Sequence, residues 1–185
     1  ELYADPRLWS AARRRIDAVA GRADAVLSAG ALLCELDAGQ ITEIIRRWGG
    51  SNAERASLGW LAGQVNRWRE LATGSLAQLK EVLAHSDFER LAALSRVEER
   101  AATGSERCWR AIRARAGRIE PGQITPEPFV TGEDLIGMGL RPGPAMGRIL
   151  KRIYEEQLNE VIATRAEAMR TAREMVGKDR TDPGG

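Results

Sequence analysis

Apolar residues recur three and four positions apart along most of the chain, the spacing of helices with one buried face. Asp5-Pro6 reads as an N-cap with proline at the first helical position, opening a helix through Ile16 and Val19 that Gly21 breaks. A second helix, Ala23 to about Glu35, is mostly apolar on the side of Val26, Leu27, Leu32 and Leu33. Asp37 caps a third, in which Ile41, Ile44, Ile45 and Trp48 fall at helical spacing and Gly49-Gly50 supplies the stop. Ser51-Asn-Ala-Glu54 is a capping box, and the long helix it opens carries Leu58, Leu61, Val65 and Trp68. A short helix from Leu76 to Ala84 follows, then a second box, Ser86-Asp-Phe-Glu89, heading a helix to about Ala102. Ser105 caps one more, containing Trp109 and Ile112 and ending near Gly117. No stretch up to that point has the alternation of a strand.

The texture then changes. Pro121, Gly122, Pro126 and Pro128 rule out a continuous helix between Gly117 and Phe129 and suggest a connection between subdomains. Beyond it lie a short helix after Thr131, a helix from Pro144 to about Leu158, and a last helix after Thr164, boxed by Glu167. The pattern predicts an all-α protein: an irregular helical array as a body over residues 1–117, a Pro/Gly linker at 118–128, a small helix-turn-helix-like tail module at 129–178 and a disordered tail at 179–185.

Composition agrees with helices: 43% hydrophobic and 29% charged, with only 5% aromatic, in stretches rich in Ala, Leu, Arg and Glu. No apolar run approaches the roughly 18 residues of a membrane span, and the N-terminus lacks the basic-then-apolar order of a signal peptide. A reducing, cytoplasmic setting is expected, with no membrane partner. The first residue is Glu1 rather than Met, which points to a processed or truncated chain. Cys34 and Cys108 match no zinc or redox spacing and read as ordinary thiols in helices.

The net charge of +2 says less than its distribution. Arg107 to Arg118 holds five arginines and no acid, and Arg141 to Arg152 holds three arginines, one lysine and no acid. Each run is either a patch that neutralises phosphates or a solvated helix face whose acids lie on neighbouring helices.

Most catalytic chemistry is missing. His85 is the single histidine, so a site built on two imidazoles is excluded, including a paired His/Asp phosphohydrolase centre and the common zinc hydrolases. Beside a helix start, His85 reads as a surface or capping residue. No Gly-x-Ser-x-Gly elbow, P-loop lysine motif or Asp-x-Asp pair for two magnesium ions is present. No catalytic residue, metal ligand or cofactor site is expected in this chain.

One segment does suggest a ligand. "LIGMGLRPGPAMGRIL", Leu135 to Leu150, packs four glycines and two prolines between helical stretches. Gly139 can end the first helix in the left-handed conformation, Arg141-Pro142-Gly143 form a stiff turn, and Pro144 opens the second helix. Gly147, on the first turn, either lets something approach the backbone or permits close packing of the preceding helix. A helix N-terminus with bare amides beside Arg141, Arg148 and Lys151 suits a phosphate, the logic by which helix-hairpin-helix modules hold a nucleic-acid backbone without reading bases.

The stretch Pro128 to Leu150, followed by Tyr154-Glu-Glu-Gln-Leu158 and Thr164-Arg-Ala-Glu-Ala168, resembles the C-terminal signature of bacterial class II tRNA nucleotidyltransferases and poly(A) polymerases. That family carries "TG-DL-LG--PGP--G-IL", then "QL", then "TR-EA". Upstream, "LKEVLAHSDFERLAAL" (Leu79 to Leu94) and "SNAERASLGWL" (Ser51 to Leu61) resemble the preceding helical segments. The likeness is strongest from Pro128 to Ala168 and weakest before Asp37. Two departures stand out. Leu32-Leu33 is followed by Cys34-Glu35 where members often carry His-Asp, and the N-terminal head with its Gly-Ser motif, metal-binding aspartates and nucleotide-selecting residues is absent.

The resemblance implies a body and tail that hold the acceptor and T-arm region of tRNA so that its 3′ end enters a catalytic head. Mg and CTP or ATP would belong to that head. The expected RNA contacts are Gly143, Gly147, Arg148 and Lys151 as a phosphate cradle, with Arg141 and Arg165 nearby and Arg107, Arg110 and Arg113 as a weaker second surface. Trp60, Trp68 and Trp109 are expected to pack rather than stack on bases. A protein-docking module descended from the same family, or a helix-hairpin-helix DNA-binding module, would share much of this pattern. Oligomeric state is left open, as is the choice between CCA, partial CCA and poly(A) addition.

Overall fold

The computed structural model describes residues 6–21, 24–33, 36–65 and 67–181. Asp5, Cys34, Glu35, Gly184 and Gly185 lie outside them, and with them the expected first N-cap, the expected Cys34 thiol and the end of the tail. Among the described residues the chain forms helices and no strand. None of these helices is long and apolar enough to cross a membrane.

The chain divides into two units. The first, residues 1–73 and 85–118, contains α1 (Pro6–Val19), α2 (Ala25–Leu33), α3 (Ala38–Arg47), α4 (Asn52–Val65), a 3-10 turn (Trp68–Ala72), α6 (Phe88–Thr103) and α7 (Arg107–Ala116). The second, residues 74–84 and 119–185, contains α5 (Leu76–Leu83), α8 (Pro121–Ile124), α9 (Gly132–Gly137), α10 (Pro144–Leu158) and α11 (Arg165–Thr181).

In the first unit α6 is the central helix, in contact with α1, α2, α4 and α7. Leu91 and Leu94 of α6, Leu58 and Leu61 of α4 and Leu27 and Ala31 of α2 are buried. Gly30 of α2 lies close against α6: a Cβ on it would lie 3.2 Å from Leu94 Cδ1. Local caps form where the sequence places them. Asp37 accepts the Gln40 amide at 2.9 Å, and Ser51 and Glu54 bond reciprocally.

Two expected caps do not form as read. The box at Ser86 is replaced by a start at Asp87, whose amide donates to His85 Nδ1 at 3.1 Å while its buried carboxylate pairs with Arg90. Ser105 contributes only a long bond to the Arg107 amide, and the buried Glu99 of α6 instead takes the amides of Cys108 and Trp109. Trp68 is fully buried but lies in the 3-10 turn beyond α4, and Trp48 is the C-cap of α3 and 59% exposed rather than part of a core face.

The second unit has its own core of Val130, Leu135, Leu140, Ile149, Ile153, Ile162, Ala168, Ala172 and Val176. Segment 118–128, expected as a linker, contains α8, and its C-terminal end is tied to α10: Tyr154 Oη donates to the Pro126 carbonyl, and buried Gln157 brackets Glu127 and Phe129. Helix α5, expected in the body, belongs to this unit. Asn159 Oδ1 accepts the Ala77 amide at 2.8 Å, and buried Lys80 reaches Glu160 at 3.0 Å. Helix α11 continues to Thr181, through the start of the expected disordered tail.

Candidate nucleic-acid interface

Thr131 caps α9 through a reciprocal box with Asp134. The helix ends in a Schellman turn: Gly139 adopts φ +88°, its amide donates to Ile136 O at 2.8 Å, and the Leu140 amide donates to Leu135 O at 3.0 Å. Leu135 and Leu140 are both buried, the apolar contact that accompanies such a turn. Residues Arg141 to Gly143 then lead to α10 with Gly143 in extended conformation as its N-cap.

No side chain caps this helix start. Pro144 has no N–H, and the Gly147 amide is turned back to Gly143 O at 3.4 Å. The amides of Ala145 and Met146 are therefore the donors that the helix geometry leaves without an intrahelical acceptor. They sit at the positive end of a 15-residue helix. Met146, Ile149 and Ile153 face the core, which turns Gly147, Arg148 and Lys151 outward, all three exposed. Nothing lies within 4 Å of a Cβ placed on Gly147. Close helix packing thus does not account for this glycine. Arg141, two residues before the N-cap, is exposed, and neither it nor Lys151 makes an ion pair among the described residues, whereas Arg152 is held by Glu156 at 2.8 Å.

Arg165 is placed differently. It donates to Phe129 O and to Asp134 Oδ1, both at 2.8 Å, so it braces α11 against the start of α9. Two hydrogen bonds from Thr131, together with this guanidinium, hold the Asp134 carboxyl below the usual range. A cleft of about 920 Å³ between α9 and α11 borders this brace. Its lining mixes Glu133 and Asp134 with Arg165 and Arg173, so it does not single out an anion.

In the first unit, Arg107, Arg110 and Arg113 stand one turn apart along α7, exposed and without an ion pair among the described residues. The nearest acid in sequence, Glu106, is occupied by Arg96 and Arg100. Trp109 is buried and meets Trp68 edge-on, while Trp60 stacks on His85 at 3.7 Å. Burial and the neighbouring Glu99 push the Cys108 thiol up, so it is not an activated nucleophile. Among the described residues no three acids, histidines or cysteines converge as a metal site.

The chain matches no protein-family model, no curated protein and no solved structure.

Proposed function

We propose that this chain is the RNA-holding part of a tRNA nucleotidyltransferase or poly(A)-adding protein, gripping the backbone of the tRNA acceptor and T-arm region in the cytoplasm while a separate head supplies the chemistry. The observation that carries this reading is the uncapped start of α10. Two amides without intrahelical partners and a solvent-open Gly147 lie on its first turn, with the exposed Arg141 before it and the exposed Arg148 and Lys151 further along α10. Phosphate oxygens are the ligand that accepts from such amides and is attracted by both the helix dipole and the cations. An A-form stem is recognised through phosphates and 2′-hydroxyls rather than base edges, which fits a site without Asn or Gln side chains aimed outward. Arg107, Arg110 and Arg113 would add a second, weaker phosphate contact.

The test is competition between a tRNA lacking its terminal CCA and a DNA duplex of equal length for the purified chain. Preference for tRNA supports the reading. Preference for the DNA duplex would favour a helix-hairpin-helix DNA-binding module, and binding to neither would leave a protein-docking role for the same unit.

A further inference from the structure

Helices α1 and α6 of the first unit pack against each other and leave an open groove of about 550 Å³ along their contact. Its floor is made of small side chains. Ala11 and Ala18 lie two turns apart on one face of α1, and Ala93, Val97 and Ala101 follow at four-residue spacing on one face of α6.

The same groove is rimmed by cations. Arg14, Arg15, Arg96 and Arg100 line it together with two acids, Glu98 and Glu106. Arg15 pairs with Glu98 at 2.9 Å, while Arg96 and Arg100 converge on Glu106 at 3.2 and 3.8 Å. Arg14 is exposed and makes no ion pair among the described residues, and Asp17, the acid of α1, does not line the groove. Four guanidiniums against two carboxylates leave a surplus of positive charge beside an apolar floor.

We propose that this groove docks an amphipathic helix of a partner protein, with the helix's apolar stripe on the alanines and its Asp or Glu side chains against Arg14, Arg96 and Arg100. Small side chains let helix axes approach to the roughly 8–10 Å of packed helices, so a third helix can lie along the α1–α6 pair. Both properties of the occupant follow from the groove. A phosphate backbone would use the guanidiniums but press charged oxygens onto the alanines and Val97, and a purely apolar helix would leave the surplus charge unanswered. A second copy of this chain does not supply the occupant. Among its described helices only α9 carries net negative charge; it has six residues, and Arg165 already holds one of its two acids. The groove is separate from the α10 start, and its use does not depend on RNA binding.

The experiment is a fluorescence-anisotropy titration of the full chain with three labelled helical peptides of about 18 residues, five turns, that share one leucine stripe and carry Glu, Gln or Lys beside it. The Glu peptide should bind in a salt-sensitive way, the Gln peptide about tenfold more weakly and the Lys peptide more weakly still. Ala18→Trp and Ala101→Trp, both at exposed positions, fill the groove without changing its charge. Each should abolish binding of the Glu peptide and leave helicity and tRNA binding as in the wild type. Arg14→Glu should weaken the Glu peptide and strengthen the Lys peptide. General attraction to the arginines of α7 or α10 would survive both tryptophan changes, so unchanged Glu-peptide affinity in the folded variants overturns the proposal. Equal affinity for the Glu and Lys peptides does so too, as does no binding of the Glu peptide up to about 1 mM. Loss of RNA affinity on Ala101→Trp would make the groove a nucleic-acid surface and would equally overturn it.

Discussion

Arg165 and Asp134, 31 residues apart, meet at 2.8 Å, and through them the first turn of α11 is fastened to the first turn of α9. Asp134 serves three donors at once: the Thr131 amide and hydroxyl on one oxygen and the Arg165 guanidinium on the other. The arginine of the "TR-EA" segment is thereby committed to the fold of the C-terminal unit, and the aspartate of the "TG-DL" segment explains why it points there.

Arg165→Ala should therefore act on stability more than on RNA. Arg165 is exposed and Asp134 is only partly buried, so the melting temperature should fall by no more than a few degrees. Asp134→Ala should cost more than Arg165→Ala, because it also removes the two Thr131 bonds, and Arg165→Ala should cost less in the Asp134→Ala background than in the wild type, because their shared bond is already gone. The salt dependence of tRNA binding should be nearly that of the wild type, measured by the same titration. A slope flattened as much as by loss of Lys151 would make Arg165 a phosphate contact instead.

The caps of this unit also make it acid-sensitive. Asp134 and Glu167 are both held below the ordinary carboxylate range, Asp134 chiefly by the Thr131 amide and Glu167 chiefly by the Ala163 amide. A carboxyl whose pKa is lower folded than unfolded stabilises the fold above its ordinary pKa and loses that contribution as the pH falls. Thermal melts should show the unit losing stability as the pH drops below about 4. Asp134→Asn with Glu167→Gln should be less stable at neutral pH and show a shallower acid dependence. A wild-type melting temperature that is flat from pH 6 to 3 would contradict this.

Elements whose signals are local were legible in the sequence. The boxes at Ser51 and Thr164, the cap at Asp37 and the helix start after Thr131 join atoms three residues apart, and Gly139 takes the left-handed conformation that a helix stop beside Leu140 requires. What escaped depended on distant partners. Glu99 displaced Ser105 as the cap of α7 from the previous helix. At Ser86 the reason is local instead: the helix starts one residue later, with Asp87 as its N-cap, so Ser86 and Glu89 do not occupy the N-cap and N3 positions of a box. Nothing in Leu76 to Ala84 announces Asn159 and Glu160, some 80 residues later, as its docking partners. Trp48 matched the spacing of a buried face, but α3 ends there and the ring is left outside. The turn into α10 was legible; that nothing lies within 4 Å of a Cβ at Gly147 was not.

Gly147→Leu separates fold from function. A Cβ at this exposed position has no neighbour within 4 Å, and leucine is a better helix former than glycine, so stability should rise by about 0.5–1 kcal/mol. Affinity for tRNA should fall, because the side chain projects where the phosphate approaches. A more stable variant with unchanged tRNA affinity would take Gly147 out of the cradle.

Glu99→Ala tests the long-range cap. It removes a buried acceptor from two amides, 2.6 Å from Cys108 N and 2.9 Å from Trp109 N. The cost should be about 1–3 kcal/mol in chemical denaturation. A loss within about 0.5 kcal/mol would mean that water or Ser105 replaces the carboxylate at little cost.

The most direct measurement is the salt dependence of tRNA binding by the wild-type chain and by Arg148→Ala with Lys151→Ala. If the α10 start holds phosphates, log affinity falls linearly with log salt for the wild type, and the slope shrinks by about one unit for each contact the double variant loses. Identical slopes in a folded double variant would contradict the phosphate cradle at α10.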